Sequence, residues 1–153
     1  MGGPWEGRGS DGRAFLVSGG TTCQAVGVLK FFAKNPLASA QREAAIWQHV
    51  YSHLAPVNSV RVVQAMSHTA LLMPWFQSPT RDEATLEAIC TTLKDDYQEK
   101  GFMHGDVAWR NVGVYKHNGK IAAVVFDMQS VSETAGDDAW INEAKEKLRM
   151  NLM

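Results

Sequence analysis

An Asn-Gly pair at residues 118 and 119 is the feature of this sequence that most restricts its fold. The pair lies between two runs of strand-forming residues, 112–115 (VGVY) and 121–126 (IAAVVF). The tightest hairpin turn needs a positive φ at both central positions, which Asn followed by Gly adopts readily. The two runs are therefore predicted to form an antiparallel hairpin. Residues just before the first run and just after the second should then lie close together.

Polar residues stand at both outer ends of this hairpin. The stretch GFMHGDVAWRN, residues 101–111, precedes it, and Asp127 follows it. Hairpin geometry predicts that Asp106, Asn111 and Asp127 converge. Oxygen-bearing side chains are the ligands that Mg²⁺ prefers, and a phosphoryl-transfer site needs such ligands together with a carboxylate that orients the nucleophile. The alternative is a pair of polar turns, in which Asp127 caps the segment that follows it.

The remainder of the chain alternates strand and helix patterns, which predicts an α+β fold with strands paired mainly to sequence neighbours. The predicted elements are strands 14–17 and 25–32, a helix over 37–54, strands 60–65 and 69–73, a second helix, the hairpin, and a last helix over 137–150. Thr80 and Glu83 have capping-box spacing, so the second helix is expected to have Thr80 as its N-cap and to end at Gly101. The last helix is expected to bury Trp140, Ala144 and Leu148.

Two charged residues of the first half occupy positions that should face a core. Lys30 lies inside the apolar strand run AVGVLKFF, and Glu43 shares a helical stripe with Ile46 and Val50. A charge in an apolar environment is costly without an opposite charge, so Lys30 and Glu43 are predicted to pair. The alternatives are two surface charges, or Lys34 in place of Lys30 if the strand extends further.

A glycine pattern and an apolar strand end complete the candidate set. Gly7, Gly9 and Gly12 fit GxGxxG ahead of the first strand run, and a glycine-rich turn lets backbone N–H groups approach phosphates. A glycine-rich terminus without function would look the same. Met73 and Trp75 flank Pro74 at the end of an apolar strand run, and they are candidate binding residues. A strand that is simply terminated by proline explains the same residues without a function.

The loop and hairpin together resemble a known superfamily. His104-Gly105-Asp106, four residues, Asn111, a hairpin and then Asp127 is similar to the catalytic and metal loops of protein-kinase-like proteins. The HGD form resembles that of small-molecule phosphotransferases such as aminoglycoside and choline kinases. Residues 106–111 (DVAWRN) are similar to the loop of tyrosine kinases, and the WRN–FDM pattern with the closing DDAWI resembles the kinase-like domains of crinkler-type proteins.

This resemblance implies a truncated kinase-like fold. Residues 1–75 would form an N-lobe with a small antiparallel sheet and one helix, and residues 76–153 a reduced, mainly helical C-lobe. Asp106 would be the catalytic base, Arg110 would neutralise the transferred phosphate, and Asn111 and Asp127 would be Mg²⁺ ligands. His104 is expected to brace the loop.

The resemblance also implies how ATP would be held. Lys30, positioned by Glu43, would hold the α- and β-phosphates. The three glycines would cover the phosphates, and the backbone near Met73 and Trp75 would meet adenine. The acceptor hydroxyl, on a protein or a small molecule, stays open.

Several parts of the kinase pattern are missing from this sequence. Six residues precede the glycine pattern, so the first strand is expected to be nearly absent. Residues 126–129 (FDMQ) replace Asp-Phe-Gly, and neither an Ala-Pro-Glu motif nor a helical substrate subdomain follows. Three readings therefore stay open: an active phosphotransferase, a pseudokinase that binds nucleotide or acts as a scaffold, and an incomplete kinase-like chain.

Composition and charge narrow the class of partner. The formal net charge is −1, which does not favour a nucleic acid or an anionic membrane. No apolar run is long enough to cross a membrane, and the N-terminus lacks the apolar region of a secretory signal. Cys23 and Cys90 lie far apart without CxxC spacing, which favours reduced thiols in an intracellular protein. A cytoplasmic location is expected, and a nuclear one also fits.

Overall fold

Antiparallel strand pairing together with helices confirms the predicted α+β class. The computed structural model describes residues 6–9, 12–19, 24–54, 60–134 and 136–152 of the 153-residue chain. The chain divides into two units, residues 1–75 and residues 76–153. Within the described ranges, no helix is long and apolar enough to cross a membrane.

The described residues of the first unit form a five-stranded antiparallel sheet and one helix. Its elements are β1 (Glu6–Gly9), β2 (Gly12–Gly19), β3 (Gln24–Phe32), α1 (Pro36–Val50), β4 (Arg61–Ala65) and β5 (His68–Met73). The strand order is β1-β2-β3-β5-β4. The face of α1 that carries Ala40, Trp47 and Val50 is fully buried. This burial explains the apolar periodicity of the helix, because most helical stability comes from packing an apolar face.

Two expectations for the first unit are wrong in detail. The first strand is not nearly absent, because β1 pairs with β2 along its whole length, from Glu6 opposite Phe15 to Gly9 opposite Gly12. The predicted helix over 37–54 ends at Val50, since the next residue has left helical geometry with φ −110° and ψ 34°.

In the part of the second unit that the structure describes there are two α-helices and two small sheets. In chain order these are α2 (Glu83–Thr92), β6 (Phe102–His104), β7 (Val112–His117), β8 (Lys120–Val125), β9 (Val131–Glu133) and α3 (Ala139–Arg149). A π turn (Leu93–Tyr97) and a 3₁₀ turn (Gln98–Lys100) extend α2, and Gly101 ends this segment as predicted, with φ 83°. β8 packs against α2, and β7 pairs with β8.

The predicted hairpin is confirmed. Asn118 and Gly119 both have positive φ, 52° and 76°, and His117 pairs with Lys120 across the turn. The two central residues thus adopt the geometry that Asn-Gly favours.

Two predictions about the helices of the second unit are wrong. The N-cap of α2 is Asp82 and not Thr80: an Asp82 carboxylate oxygen accepts from the Thr85 N–H at 2.8 Å. Asp82 directly precedes the first helical residue, where a side-chain oxygen reaches the unpaired N–H groups. In α3, Ile141 is buried, whereas Trp140 is half-buried. The Trp140 indole N–H donates to Gln98 Oε1 at 2.6 Å, so its polar edge finds a partner at the surface.

Candidate functional site

His104 joins the two polar segments of the second unit. It is buried, its Nε2 lies 2.5 Å from the Phe126 carbonyl oxygen, and its Nδ1 accepts from the Asp106 N–H at 3.1 Å. Because a backbone N–H can only donate, Nδ1 carries no proton, and the neutral ring donates from Nε2. The Tyr97 ring packs edge-on against it, with the two centroids 5.8 Å apart. His104 therefore braces the loop of Asp106 against the end of β8.

Burial determines the charge of this histidine. Desolvation lowers the pKa of His104 below 6.5, and this effect outweighs the hydrogen bond to Phe126 and the negative charges of Asp127 and Asp106, which act in the opposite direction. A neutral ring is also what the hydrogen-bond pattern requires.

The hairpin brings Asn111 next to the segment that contains Asp127. Val112 opens β7 opposite Val125, the last residue of β8. At the next pair of residues away from the hairpin turn, the Phe126 N–H donates to the Asn111 carbonyl oxygen at 2.5 Å. Asp127, the following residue, is half-buried. Its φ of 65° and ψ of 70° lie in the left-handed region, which costs a non-glycine residue roughly 1–3 kcal/mol.

Asp106 is in direct contact with two other predicted site residues. The Asn111 side-chain NH₂ donates to the Asp106 carbonyl oxygen at 2.9 Å and to its carboxylate Oδ2 at 3.3 Å. Arg110 Nη2 lies 2.6 Å from the same Oδ2. The Arg110 side chain is 68% exposed, so this ion pair adds little stability, but its guanidinium is open to solvent.

The chemistry of these donors fits a hard divalent cation. Because the Asn111 NH₂ group points to Asp106, its amide oxygen is left as an acceptor. The Asn111 amide oxygen and the Asp127 carboxylate are both oxygen ligands of the type that Mg²⁺ prefers. Across the described ranges, no cluster of three or more His, Cys, Asp or Glu side chains has the arrangement of a metal site.

The predicted Lys30–Glu43 pair is confirmed in the first unit. Lys30 Nζ lies 2.9 Å from Glu43 Oε1, and the two residues are 7% and 1% exposed. The ammonium group also lies 5.2 Å from the centre of the Phe32 ring. Lys34 does not replace Lys30, because it is exposed in the bend between β3 and α1, where its carbonyl accepts from Ser39 Oγ at 2.9 Å.

The remaining predicted residues of the first unit lie in or just beyond its strands. Gly7 and Gly9 belong to β1, and Gly12 opens β2 opposite Gly9; residues 10–11, between them, lie outside the described ranges. Met73 ends β5 opposite Val28 of β3. Trp75, at the end of this unit, is 45% exposed.

Comparison with known families identifies a family that covers most of the chain. The model of DUF5898, a family of unknown function, matches residues 6–115. The chain belongs to this family. The matched range contains Lys30, Glu43, Asp106 and Asn111 and ends before Asp127. No curated protein matches the chain.

Two residues that support the site were not recognised from sequence. Tyr97 is fully buried, and its hydroxyl donates to the Val125 carbonyl oxygen at 2.7 Å. Trp109, which is 6% exposed, donates its indole N–H to the Leu148 carbonyl oxygen at 3.0 Å. The sequence does contain a sign that Trp109 is buried. A tryptophan among polar residues needs an apolar contact for its ring and an acceptor for its indole N–H.

Proposed function

We propose that this protein is a kinase-like phosphotransferase that uses ATP and Mg²⁺ to transfer the γ-phosphate to a hydroxyl group. The observation that carries the proposal is the contact set around Asp106. Its carboxylate touches Asn111 and Arg110, and His104 ties its backbone to Phe126, directly before Asp127. A carboxylate, an amide oxygen and a second carboxylate in neighbouring segments are the parts that phosphoryl transfer requires.

Each residue of this set would have a distinct role. Asp106 would accept the proton of the acceptor hydroxyl, for which its 31% exposed side chain leaves access. Asn111 and Asp127 would hold Mg²⁺, which when bound neutralises charge on the phosphates. Arg110, exposed beside Asp106, would move its guanidinium from that carboxylate to the transferred phosphate.

The first unit would hold the nucleotide. Lys30 would bind the α- and β-phosphates, and Glu43 would fix its ammonium group at the observed 2.9 Å. A buried, paired lysine is oriented in advance, so little side-chain entropy is lost when phosphate binds. Gly7, Gly9 and Gly12, on the paired strands β1 and β2, would lie over the phosphates, and the backbone near Met73 and Trp75 would meet adenine.

The proposal includes a reduced kinase-like fold and a cytoplasmic location. An antiparallel sheet with one helix that carries a buried glutamate supports a reduced kinase-like N-lobe, and a short unit with two main helices supports a reduced C-lobe. A cytoplasmic location would supply ATP. A net charge of −1 favours a protein or small-molecule acceptor over nucleic acid.

A thermal-shift titration with ATP, with and without Mg²⁺, tests the proposal. A ligand that binds only the folded state raises the unfolding temperature, so the wild-type protein should show a shift that requires Mg²⁺. Asp127→Asn should lose the Mg²⁺-dependent part. Asp95→Asn is the matched control, because it removes the same charge from an exposed residue of the π turn. A wild-type protein that melts cooperatively without any shift would refute nucleotide binding.

A second candidate function is nucleotide binding without transfer. The observation that favours it is the engagement of Asp106 Oδ2 by Arg110 and Asn111, which occupies the oxygen that would have to accept the proton of the hydroxyl. Loss of the γ-phosphate from radiolabelled ATP separates the two candidates. If wild-type and Asp106→Asn proteins bind ATP equally and neither releases nor transfers phosphate, the binding function is the correct one.

A further inference from the structure

The turn that carries Arg110 and Asn111 is attached to the last helix of the chain. Trp109 lies between the exposed Arg110 and the loop of Asp106, and it points inward. Its indole N–H donates to the carbonyl oxygen of Leu148, 39 residues away, at 3.0 Å. Both residues are buried, at 6% and 1% exposed. A direct contact therefore runs from the polar loop to α3.

The acceptor at the end of α3 belongs to a helix that is itself held in place. The Leu148 carbonyl oxygen accepts from the Asn151 N–H at 3.0 Å, and because a carbonyl oxygen has two lone pairs it also accepts from the indole. Arg149 Nη1 lies 2.7 Å from Glu83 Oε1, and Lys145 Nζ lies 3.6 Å from Glu87 Oε1, which joins α3 to α2 on the surface. The ion pairs are exposed and weak, but Ile141, Ala144 and Leu148 of α3 are buried, and this packing makes the Leu148 carbonyl a fixed point for the indole.

The turn formed by residues Trp109–Asn111 has little stability of its own. It is a three-residue 3₁₀ turn, closed by a bond from the Asn111 N–H to the Ala108 carbonyl oxygen at 2.9 Å. Hydrogen-bond geometry in 3₁₀ turns is poorer than in α-helices, and such short turns need other contacts to hold them. The inward Trp109 supplies such a contact and thereby sets the directions of Arg110 and Asn111, the two residues that follow it in the turn.

We propose that Trp109 is a positioning residue, through which α3 holds the Asp106–Asn111 loop in its functional geometry. The inference assigns to α3 a role in the candidate site. It deepens the proposed phosphotransferase function and rests on it for the consequence in nucleotide binding. The positioning itself is measurable without any ligand.

Trp109→Phe tests the positioning, with Trp140→Phe as its matched control. Both substitutions keep an aromatic ring and remove one indole N–H, but the Trp140 partner is Gln98 Oε1, at 2.6 Å and away from the loop. Amide hydrogen exchange by NMR is read at Asn111 and Phe126, whose N–H groups make loop hydrogen bonds. Loss of one hydrogen bond should speed local exchange about five- to tenfold in Trp109→Phe. Trp140→Phe should leave these two amides unchanged.

The wild-type protein supplies a measurement that does not depend on how the variants fold. The Trp109 indole proton should exchange with solvent as slowly as the amides of α3. An indole proton that exchanges like that of a solvent-exposed tryptophan would overturn the proposal, and so would unchanged loop exchange in a folded Trp109→Phe.

A third measurement separates the positioning role of Trp109 from a simple loss of stability. The affinity for ATP is measured with and without Mg²⁺, well below the unfolding temperature. The Mg²⁺-dependent gain in affinity should fall in Trp109→Phe and persist in Trp140→Phe. Faster loop exchange with a wild-type protein that does not bind ATP would support the positioning and refute the phosphotransferase. Faster exchange with an unchanged Mg²⁺-dependent gain would overturn the role of Trp109 in the site.

Discussion

Nζ of Lys30 lies 2.9 Å from Oε1 of Glu43, inside the apolar interior formed by β3 and α1. The pair joins the centre of a strand to the buried stripe of a helix 13 residues further along the chain. Desolvation of two charges offsets much of their attraction, so the pair stabilises the fold weakly as a whole. Removal of one partner, however, leaves the other buried and uncompensated.

Lys30→Met should therefore destabilise the protein strongly, by about 3–5 kcal/mol. The double variant Lys30→Met with Glu43→Leu should recover much of this loss, because no unpaired charge remains. Urea unfolding measures both free energies. Arg149→Met, which cuts the exposed ion pair with Glu83, is the control and should cost less than about 1 kcal/mol. A Lys30→Met variant no less stable than this control would contradict the buried pair.

His104 should make stability depend on pH. Its pKa is lowered by burial in the folded protein, whereas the unfolded chain has the ordinary value of 6.5. As the pH falls below 6.5, the unfolded chain takes up the proton first, so the free energy of unfolding decreases until the folded-state pKa is reached. The contribution is fully present above pH 6.5, and the slope below it approaches about 1.4 kcal/mol per pH unit.

His104→Gln and His117→Gln separate this effect from the titration of carboxylates. The free energy of unfolding is measured from pH 5 to pH 8 for both variants and the wild type. The difference between wild type and His104→Gln should grow as the pH rises from 5 to 6.5. His117 is exposed on the hairpin, so its replacement should leave the wild-type profile almost unchanged. Parallel profiles for wild type and His104→Gln would argue against a neutral, buried histidine.

The Tyr97 hydroxyl should contribute to stability beyond the packing of its ring. Tyr97→Phe leaves the buried Val125 carbonyl without this donor, at a cost of about 1–3 kcal/mol. Tyr115→Phe is the matched control: this half-buried ring packs against Phe76, with centroids 5.8 Å apart, and the substitution keeps that contact. Chemical unfolding of the two variants gives the comparison. Equal losses would mean that the hydrogen bond of Tyr97 adds nothing.

The N-cap of α2 can be tested by two alanine substitutions. Hydrogen bonds from Thr85 lower the pKa of Asp82, so the ionised carboxylate is favoured in the folded protein. Asp82→Ala should lower the unfolding temperature near pH 7, and the difference from wild type should disappear as the pH falls through the lowered pKa. Thr80→Ala should have a smaller effect, since Thr80 lies outside the helix. A larger loss for Thr80→Ala would restore the capping box as the start of α2.

Local patterns predicted the parts of this fold that depend on neighbouring residues. The hairpin followed from Asn118-Gly119 because the turn geometry is set by those two residues alone. The Lys30–Glu43 pair followed because each charge interrupts an otherwise apolar pattern, which leaves few alternatives. The N-cap was wrong because Thr80 and Asp82 both suit that position, and local chemistry does not choose between them.

Contacts between distant segments were not accessible in this way. β6 and β9 are three residues each, too short to show alternation, and their pairing places His104 opposite Val131. The indole of Trp109 bonds to a carbonyl 39 residues away, which no periodicity encodes. The sequence therefore identified candidate site residues such as His104 and Asn111. The long-range contacts that hold their loop in place became visible only in the folded structure.

Replacement of Arg110 should lower phosphate transfer while leaving the free energy of unfolding almost unchanged. Its ion pair with Asp106 is short, at 2.6 Å, but the Arg110 side chain is 68% exposed, so Arg110→Ala should change the free energy of unfolding by less than about 1 kcal/mol. If Arg110 stabilises the transferred phosphate as proposed, the same variant should lower phosphate transfer at least about tenfold, because charge stabilisation in a transition state is worth several kcal/mol. Arg81→Ala, at an exposed position before α2, is the control for loss of a positive charge. Faster transfer in Arg110→Ala would instead show that Arg110 restrains the carboxylate of Asp106, so that the ion pair holds the site in an inactive state.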